Sequence, residues 1–380
     1  MQSLVEEVIR QAVDGQRLVG AEVMIAQRGQ IIFHQASGYA DRESEQRMRL
    51  HTRFRLASVS KPIVTTAAMV LVAQGKLPLD EDIQRWLPQF NPPLAEGGPA
   101  RISVRQLMSH SAGLGYRFLE DSPDGPYARA GVSDGMDASG LTLTENLRRI
   151  ATVPLRYPPG TSWGYSLAID VLGALIEQVQ GQPLDVAVKT LVTEPLGMLA
   201  TDFSLAADQQ VATAYVSDQP VPHRLQEGEF VTPFEQTAGI CFSPDRVYDR
   251  QAFPSAGAGM VGTVSDFMRL LETLRSGGGE LLSPAWVAEM ARDQVSHVQL
   301  PDAPGVGFGL GFSVLRDPQL AASPESIGTW RWGGAYGHAW FVDPARQLSV
   351  VAFTNTLYEG MSGQFVNALR DAVYHDLAEA

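Results

Sequence analysis

A run of fourteen residues without a charged side chain, from Pro62 to Gly75, limits what this chain can fold into more than any other feature. Apolar residues occur on every side of a helix formed there, so such a helix must be buried all round. Pro62 suits a first helical turn, and Gly75 supplies a C-terminal stop. The run therefore predicts a central helix enclosed by other elements. A chain of 380 residues can build a core of that size and more than one lobe.

Both ends of the chain show strand and amphipathic helix patterns. An amphipathic helix is indicated over residues 3–13, and a hairpin that turns at Arg28-Gly29-Gln30 is indicated over 21–39. Towards the C-terminus, three strands and a closing helix are expected at 309–314, 338–342, 348–353 and 361–377. These patterns predict an α+β fold with an α/β sandwich lobe, in which both termini build one antiparallel sheet flanked by helices.

The middle of the chain shows mainly helical sequence patterns. Helical patterns recur there at 168–180, 185–192 and 267–275. They predict a mostly helical second lobe, so we divide the chain into a sheet lobe (1–79 with 300–380) and a helical lobe (80–299). Long segments rich in glycine, proline and polar residues are expected to form a wall of the active site, at 91–99, 113–140 and 205–256.

Charge and cysteine content exclude several classes of function. A net charge of −13 argues against nucleic acid or an anionic membrane as a partner. Cys241 is the only cysteine, which excludes a disulfide framework and a thiolate metal cluster. No apolar stretch reaches membrane-spanning length, and the chain does not begin with a signal-peptide pattern. We expect a cytoplasmic protein that uses no metal and no other cofactor; its oligomeric state stays open.

A serine and a lysine stand three residues apart just before the apolar helix, at Ser58 and Lys61. Positions with this spacing stack on one helix face, so a hydroxyl would lie beside an amine. The lysine would lose hydration on a buried helix and sit near the positive end of the helix dipole, and both effects favour the neutral amine. A neutral amine beside a serine is a general base beside a nucleophile. The alternative is a capping serine with a first-turn lysine, but such a lysine opposes the dipole.

Three further segments join this pair in a characteristic order. They read Leu-Met-Ser-His-Ser-Ala-Gly-Leu at 107–114, Tyr-Pro-Pro-Gly-Thr-Ser-Trp-Gly-Tyr-Ser at 157–166 and Trp-Gly-Gly-Ala-Tyr-Gly-His-Ala-Trp at 332–340. With Ser58 and Lys61 they resemble the serine β-lactamase and penicillin-binding-protein superfamily over nearly the whole chain. The resemblance is strongest to its class C-like branch, above all to the family VIII carboxylesterases. It implies a β-lactamase/transpeptidase-like fold.

The resemblance also implies site residues and shows two departures. Ser58 and Lys61 match the Ser-x-x-Lys motif, and the tyrosine of the second motif falls on Tyr165. Class C enzymes carry Tyr-x-Asn, and here Leu167 takes the Asn position. Their third motif, Lys-Thr-Gly, is replaced by Trp332-Gly333-Gly334, as the esterase branch often has it. Both changes remove polar contacts to a β-lactam carboxylate and leave an apolar mouth, which favours a neutral ester.

The residues give a coherent chemistry. We expect Ser58 to attack the acyl carbonyl and form an acyl-enzyme, while Lys61 takes its proton directly or through Tyr165. The residues expected to contact substrate are Trp332, Gly333, Gly334, His338 and Trp340. The Ser58 N–H is one candidate oxyanion donor, and the family resemblance implies a second in the strand around 338–340.

Packing roles compete with some of these assignments. The two tryptophans are as consistent with packing as with a substrate wall, and His338 is as consistent with a cap or a pocket lining as with a third catalytic member. His110 lies in a segment that the family uses structurally, so we expect no catalytic role for it.

Rival readings of the sequence remain. Residues 164–168 are a near miss to a nucleophile elbow, which would make Ser166 the nucleophile of an α/β-hydrolase, but Pro158-Pro159-Gly160 stands where an elbow needs a buried strand. Residues 257–262 fit a dinucleotide fingerprint by letter, without a preceding strand or a well-placed acidic residue.

The predicted function is therefore a serine hydrolase, a carboxylesterase that acts on small-molecule esters with short acyl chains. The same three residues would also serve a β-lactamase, a D-amino-acid peptidase, an amide hydrolase or an acyltransferase. A catalytically silent binding protein on this fold is a further alternative, which the complete set of Ser58, Lys61 and Tyr165 disfavours.

Overall fold

The computed structural model describes residues 3–234 and 236–379. Within these residues the strands are β1 (Gly20–Gln27), β2 (Gln30–Asp41), β3 (Gln46–Arg47), β4 (Phe54–Arg55), β5 (Tyr215–Val216), β6 (His223–Arg224), β7 (Glu229–Val231), β8 (Ile240–Phe242), β9 (Val261–Gly262), β10 (Val306–Phe308), β11 (Ser313–Leu315), β12 (Trp330–Gly334), β13 (His338–Asp343), β14 (Leu348–Thr354) and β15 (Thr356–Leu357). The α-helices are α1 (Leu4–Asp14), α2 (Ser60–Ala73), α3 (Val104–Met108), α4 (Pro126–Arg129), α5 (Leu143–Ile150), α6 (Ala168–Gln180), α7 (Leu184–Val188), α8 (Val264–Arg275), α9 (Pro284–Ala291), α10 (Glu359–Ser362) and α11 (Gln364–Glu379). None of these helices is long and apolar enough to cross a membrane.

One antiparallel sheet of eight strands joins the two ends of the chain. Its order is β10-β11-β12-β13-β14-β1-β2-β3. The N-terminal hairpin meets the C-terminal strands where β1 pairs with β14, and Val23 lies opposite Ala352 there. Helices α1 and α11 pack together and cover one face, while α8 contacts β14 and β1. The predicted α+β fold with a flanked antiparallel sheet built from both termini is confirmed.

Helix α2 is the central buried helix that the uncharged run predicts. Every residue from Ser60 to Val72 is buried, and the helix packs against α6. It begins two residues before Pro62 because a short 3₁₀ turn at Ala57–Val59 runs directly into it. Gly75 follows with a positive φ of 71°, a conformation that glycine adopts at little cost.

Some predicted elements differ in the structure. Of the strand expected over 309–314, only residues 313–314 lie in a strand, β11. Residues 309–312 form the turn between β10 and β11, where Gly309 N–H donates to the Phe312 carbonyl (2.8 Å). Gly311 has a φ of 97°, so this glycine permits a turn that an alternating pattern does not reveal. The helix expected over 361–377 is interrupted at Gly363 and becomes α10 and α11. The division into two lobes stays a prediction; within it, α8 comes from the segment assigned to the helical lobe and yet contacts the sheet.

Candidate active site

Ser58 lies in the 3₁₀ turn that leads into α2. Strand β4 just before it pairs with β9, and Leu56 N–H donates to the Met260 carbonyl (2.8 Å). The intervening Ala57 is buried and has a φ of 46°, which is uncommon for a residue with a Cβ atom. Ser58 is thus presented by a backbone that the surrounding structure holds in an unfavourable conformation.

Lys61 is fully buried one turn after Ser58. Its Nζ lies 3.2 Å from Ser58 Oγ, as the three-residue spacing predicts. The same nitrogen donates to Tyr116 Oη (2.9 Å) and to the Gly257 carbonyl (2.8 Å). The hydrogen-bond partners of Lys61 among the described residues are therefore two hydroxyl groups and one carbonyl, with no carboxylate.

Tyr165 comes from the loop that directly precedes α6. Its Oη lies 2.5 Å from Ser58 Oγ, and Trp332 Nε1 donates to Oη over a longer 3.5 Å. The Tyr165 ring packs against the rings of Tyr116 and Trp332, with centroids 5.0 and 5.1 Å apart. The structure thus brings Ser58, Lys61 and Tyr165 into one cluster, although they come from three separate segments of the sequence.

Tyr116 belongs to this cluster and was not predicted. It is buried, 3% exposed, and its hydroxyl accepts the hydrogen bond from Lys61. Burial raises its pKa well above the usual value for a tyrosine. It lies within the segment 113–140, which the sequence marks only as a long loop, and no local pattern there indicates a buried aromatic residue.

Ser58 and Tyr165 border a cavity that extends as far as residues of α11 and has a total volume of about 970 Å³. Its wall carries many apolar side chains, among them Phe118, Leu119, Met136, Trp163, Phe234, Ile240, Leu300, Val306 and Trp332. Several of these come from the long segments 113–140 and 205–256. Asp134 also borders the cavity, and burial raises the pKa of its carboxyl to about 7. No group of three or more His, Cys, Asp or Glu side chains among residues 3–234 and 236–379 is arranged to hold a metal ion.

The five residues expected to contact substrate divide into two groups. Trp332 and Gly333 border the cavity. Trp340 also borders it, but is only 2% exposed and packs on Phe267 and Phe312. Gly334 and His338 are not among the residues that border the cavity.

Gly334 has a steric reason to be a glycine. A Cβ atom on this residue would lie 2.5 Å from the Leu56 carbonyl oxygen. The absence of a side chain therefore lets the end of β12 approach the segment that carries Ser58. Its position supports close packing of the backbone beside Ser58, and not the predicted contact with substrate.

His338 is buried beneath the site and does not face substrate. Its side chain is fully inaccessible and packs against Phe54 and Phe353. Its Nε2 donates to the Arg55 carbonyl (2.7 Å), three residues before Ser58. Burial lowers the pKa of His338 to about 4. The prediction that His338 lines the substrate pocket does not agree with this position; the histidine instead supports the chain that leads to Ser58.

A pH-dependent loss of stability is expected from His338. Its pKa lies near 4 in the folded state and near 6.5 in the unfolded chain, so the unfolded chain binds more protons between these values and stability falls as the pH drops from 6.5 towards 4. His338→Gln keeps a donor for the Arg55 carbonyl and does not titrate. We expect the free energy of unfolding of the wild type to fall by about 2 kcal/mol more than that of the variant between pH 7.5 and 5. Urea unfolding at both pH values measures this, and parallel losses in the two proteins would contradict it.

The sheet pairing does not agree with the expected second oxyanion donor in the backbone of residues 338–340. Strand β13 is paired on one side with β12 and on the other with β14, so both sets of its N–H groups are used in the sheet. Ala335, in the turn that follows β12, borders the cavity. The N–H group of that turn residue is a better candidate than those of the strand.

The rival nucleophile is inaccessible. Ser166 is 1% exposed, and its Oγ lies 3.1 Å from Nδ1 of the fully buried His110. Burial lowers the pKa of His110 well below its ordinary value. Neither residue is among those that border the cavity. The chain forms no strand between β8 and the segment 257–262, so this segment lacks the preceding strand that a dinucleotide fingerprint requires. Its Gly257 carbonyl accepts a hydrogen bond from Lys61.

Comparisons with known proteins identify the family of this chain. Residues 5–375 match the Beta-lactamase family. The chain is 47% identical to Esterase EstB of Burkholderia gladioli over 97% of this chain and 94% of that protein. It is also similar to the Lovastatin esterase of Penicillium rubens, at 25% identity over 96% of both chains. Among solved structures, EstCE1, described as a hydrolase with promiscuous acyltransferase activity, matches with a TM-score of 0.95 and 48% identity over 98% of this chain and 97% of its own.

The family match covers nearly the whole chain, and one relative is almost half identical over the same length. The chain therefore belongs to the beta-lactamase family, on the esterase branch of the serine β-lactamase and penicillin-binding-protein superfamily.

Proposed function

We propose that this member of the beta-lactamase family is a serine hydrolase, a carboxylesterase that cleaves short-chain esters through an acyl-enzyme on Ser58. The observation that carries the proposal is the cluster around Ser58 Oγ, in which Tyr165 Oη lies 2.5 Å away and Lys61 Nζ lies 3.2 Å away, beside an apolar cavity. Relatives named as an esterase and as a hydrolase support the same conclusion.

Acylation begins at Ser58. Its oxygen attacks the carbonyl carbon of the ester, and its proton passes to Lys61 Nζ, which acts as a neutral amine 3.2 Å away. When the tetrahedral intermediate collapses, the carbon–oxygen bond to the alcohol breaks. Tyr165, within 2.5 Å of Ser58 Oγ, passes a proton to the departing alkoxide, and the proton held by Lys61 restores the tyrosine. Water then attacks the acyl group by the reverse sequence of proton transfers.

The oxyanion of each intermediate needs donors that are already oriented. We assign the backbone N–H groups of Ser58 and Ala335 to this role. Gly334, whose missing Cβ lets β12 approach Leu56, supports the assignment because it brings the turn with Ala335 close to Ser58. Ser58 and Ala335 border the same cavity.

The character of the cavity supports a neutral ester as substrate. Leu167, at the position where class C enzymes have asparagine, is fully buried and offers no polar group to substrate. Trp332 occupies the position of the cationic lysine and borders the cavity. A β-lactam would bring its carboxylate to this apolar side chain, which offers no positive charge where the lysine would stand, and a charge without such a contact is costly to desolvate.

A comparison of two chromogenic substrates tests the substrate class. We expect p-nitrophenyl butyrate to be hydrolysed with a kcat/KM about 10- to 100-fold above that for nitrocefin, because the β-lactam loses a contact to its carboxylate and a hydrogen bond to a charged group contributes about 1.5–3 kcal/mol. Steady-state kinetics at one pH, with p-nitrophenyl acetate and laurate to define chain length, measures the ratio. A preference for nitrocefin would reject the ester proposal in favour of a β-lactamase, and a preference for laurate would reject the short chain.

A further inference from the structure

Asp170 is a buried carboxylate that the proposed reaction does not use. It is the third residue of α6, five residues after Tyr165, and it is 1% exposed. Its Oδ1 accepts hydrogen bonds from Ser255 Oγ (2.9 Å) and from the Gly257 N–H (3.1 Å). Its Oδ2 is buried and has no hydrogen-bond partner among the described residues. A carboxylate in such surroundings is costly to bury, so its contacts call for an explanation.

The residues that Asp170 holds form a tight turn against the lysine. Gly259 N–H donates to the Ser255 carbonyl (2.8 Å) and closes this turn. The Gly257 carbonyl, inside the turn, accepts the hydrogen bond from Lys61 Nζ (2.8 Å). A Cβ atom on Gly257 would lie 3.2 Å from Tyr116 Oη and 3.3 Å from Lys61 Nζ. Gly257 is therefore packed directly on the amine, with Asp170 on its N–H and Lys61 on its carbonyl.

We propose that Asp170 is a positioning residue for Lys61, which acts through Ser255 and Gly257. This proposal rests on the proposed function, because it matters only if Lys61 is the base. The Gly257 carbonyl can only accept, so it fixes one N–H of the amine and leaves the rest of the nitrogen for Ser58 Oγ and Tyr116 Oη. Without the carboxylate, the turn loses the two hydrogen bonds that hold it to α6, one from Ser255 Oγ and one from the Gly257 N–H. The long lysine side chain can then leave Ser58.

Substitutions of Asp170 can distinguish the effect of its charge from the effect of its hydrogen bonds. Burial raises the pKa of Asp170, while the hydrogen bonds from Gly257 and Ser255 and the nearby Lys61 oppose that shift. An asparagine amide oxygen would accept the same two hydrogen bonds without a charge. The proposal therefore predicts that the acceptor is what matters, and Asp170→Asn and Asp170→Ala test this directly.

The experiment compares the kinetics of these two variants with p-nitrophenyl butyrate. Asp170→Ala is expected to lower kcat by about 30-fold with KM within about threefold, because misplacing a base affects the chemical step more than binding. Asp170→Asn is expected to keep kcat within about threefold of the wild type. The rate at which diethyl p-nitrophenyl phosphate inactivates Ser58 should fall in parallel with kcat. Wild-type kinetics in a folded Asp170→Ala, or equal losses in both variants, would overturn the proposal.

Asp266 offers a matched control. It is likewise the third residue of a helix, α8, and is 7% exposed. Its carboxylate accepts hydrogen bonds from the Ala200 N–H and Thr201 Oγ1, both at 2.9 Å, neither of them in the active site. Asp266→Ala should lose stability without a fall in kcat. A loss of kcat equal to that of Asp170→Ala would show a general effect of the lost buried acceptor and would overturn the positioning role.

Two further measurements test the proposal if Asp170→Ala does not fold or if the wild type hydrolyses no ester. If Asp170→Ala does not fold, Ser255→Ala removes one of the two donors and should lower kcat by about threefold to tenfold with KM unchanged; no change would overturn the proposal. Ester turnover by the wild type and its loss in Ser58→Ala report on the proposed function separately. If the wild type hydrolyses no ester, the proposed function fails, and the rate of phosphate-triester inactivation still tests the positioning of Lys61.

Discussion

Ser58→Ala is expected to lower kcat for p-nitrophenyl butyrate by at least about 10⁴-fold, because the reaction then has no nucleophile to form the acyl-enzyme. The substitution removes one oxygen atom from a partly exposed residue, and the hydrogen bonds of Lys61 to Tyr116 and Gly257 stay in place. The variant should therefore fold and bind substrate. Initial rates and intact-protein mass after a rapid quench measure the loss of turnover and the absence of an acyl adduct.

Ser166→Ala is the matched control for that result. Ser166 is the residue that a nucleophile elbow would require, and its hydroxyl makes a buried contact with His110 Nδ1 (3.1 Å). Its loss should cost about 1 kcal/mol of stability and leave ester turnover within about threefold of the wild type. Loss of turnover in Ser166→Ala alone, with activity retained in Ser58→Ala, would assign the nucleophile to the other serine and reject the proposed mechanism.

Local patterns in the sequence were sufficient wherever one short segment determines its own structure. The uncharged run after Lys61 predicts a helix that is buried on all sides, and α2 is buried from Ser60 to Val72. The amphipathic period over 168–180 ends at Gly181, whose φ of 64° requires a residue tolerant of the left-handed region. Helix α6 has these same bounds, since periodicity and a C-terminal glycine both lie within the segment.

The rest of the candidate site depends on contacts between distant segments. Tyr116 and Gly257 lie 55 and 196 residues after Lys61, and no periodicity or spacing relates positions so far apart. His338, in the sheet, is a second residue whose contacts a local sequence pattern does not predict. Its strand was predicted, and β13 is present, but the side chain binds the carbonyl of Arg55. Which residues a strand faces depends on how the chain folds back, and alternation alone does not determine this.

Tyr165→Phe is expected to lower kcat for an alkyl ester such as ethyl butyrate by about 10³-fold with KM within about threefold. The substitution removes the one oxygen that lies 2.5 Å from Ser58 Oγ, and general acid–base catalysis contributes about 10²–10⁴-fold. The phenyl ring keeps its packing against Tyr116 and Trp332, so the cavity should retain its shape. Tyr127→Phe is the control: its hydroxyl is also buried and accepts a hydrogen bond from the Gly115 N–H (3.0 Å), but does not contact Ser58 or Lys61. If both variants lose turnover equally, buried hydroxyls stabilise the fold and Tyr165 has no separate part in proton transfer. If only Tyr165→Phe loses it, the transfer of a proton to the alkoxide depends on this oxygen, and a leaving group that needs no proton, such as p-nitrophenolate, should be affected less than an alkyl alcohol.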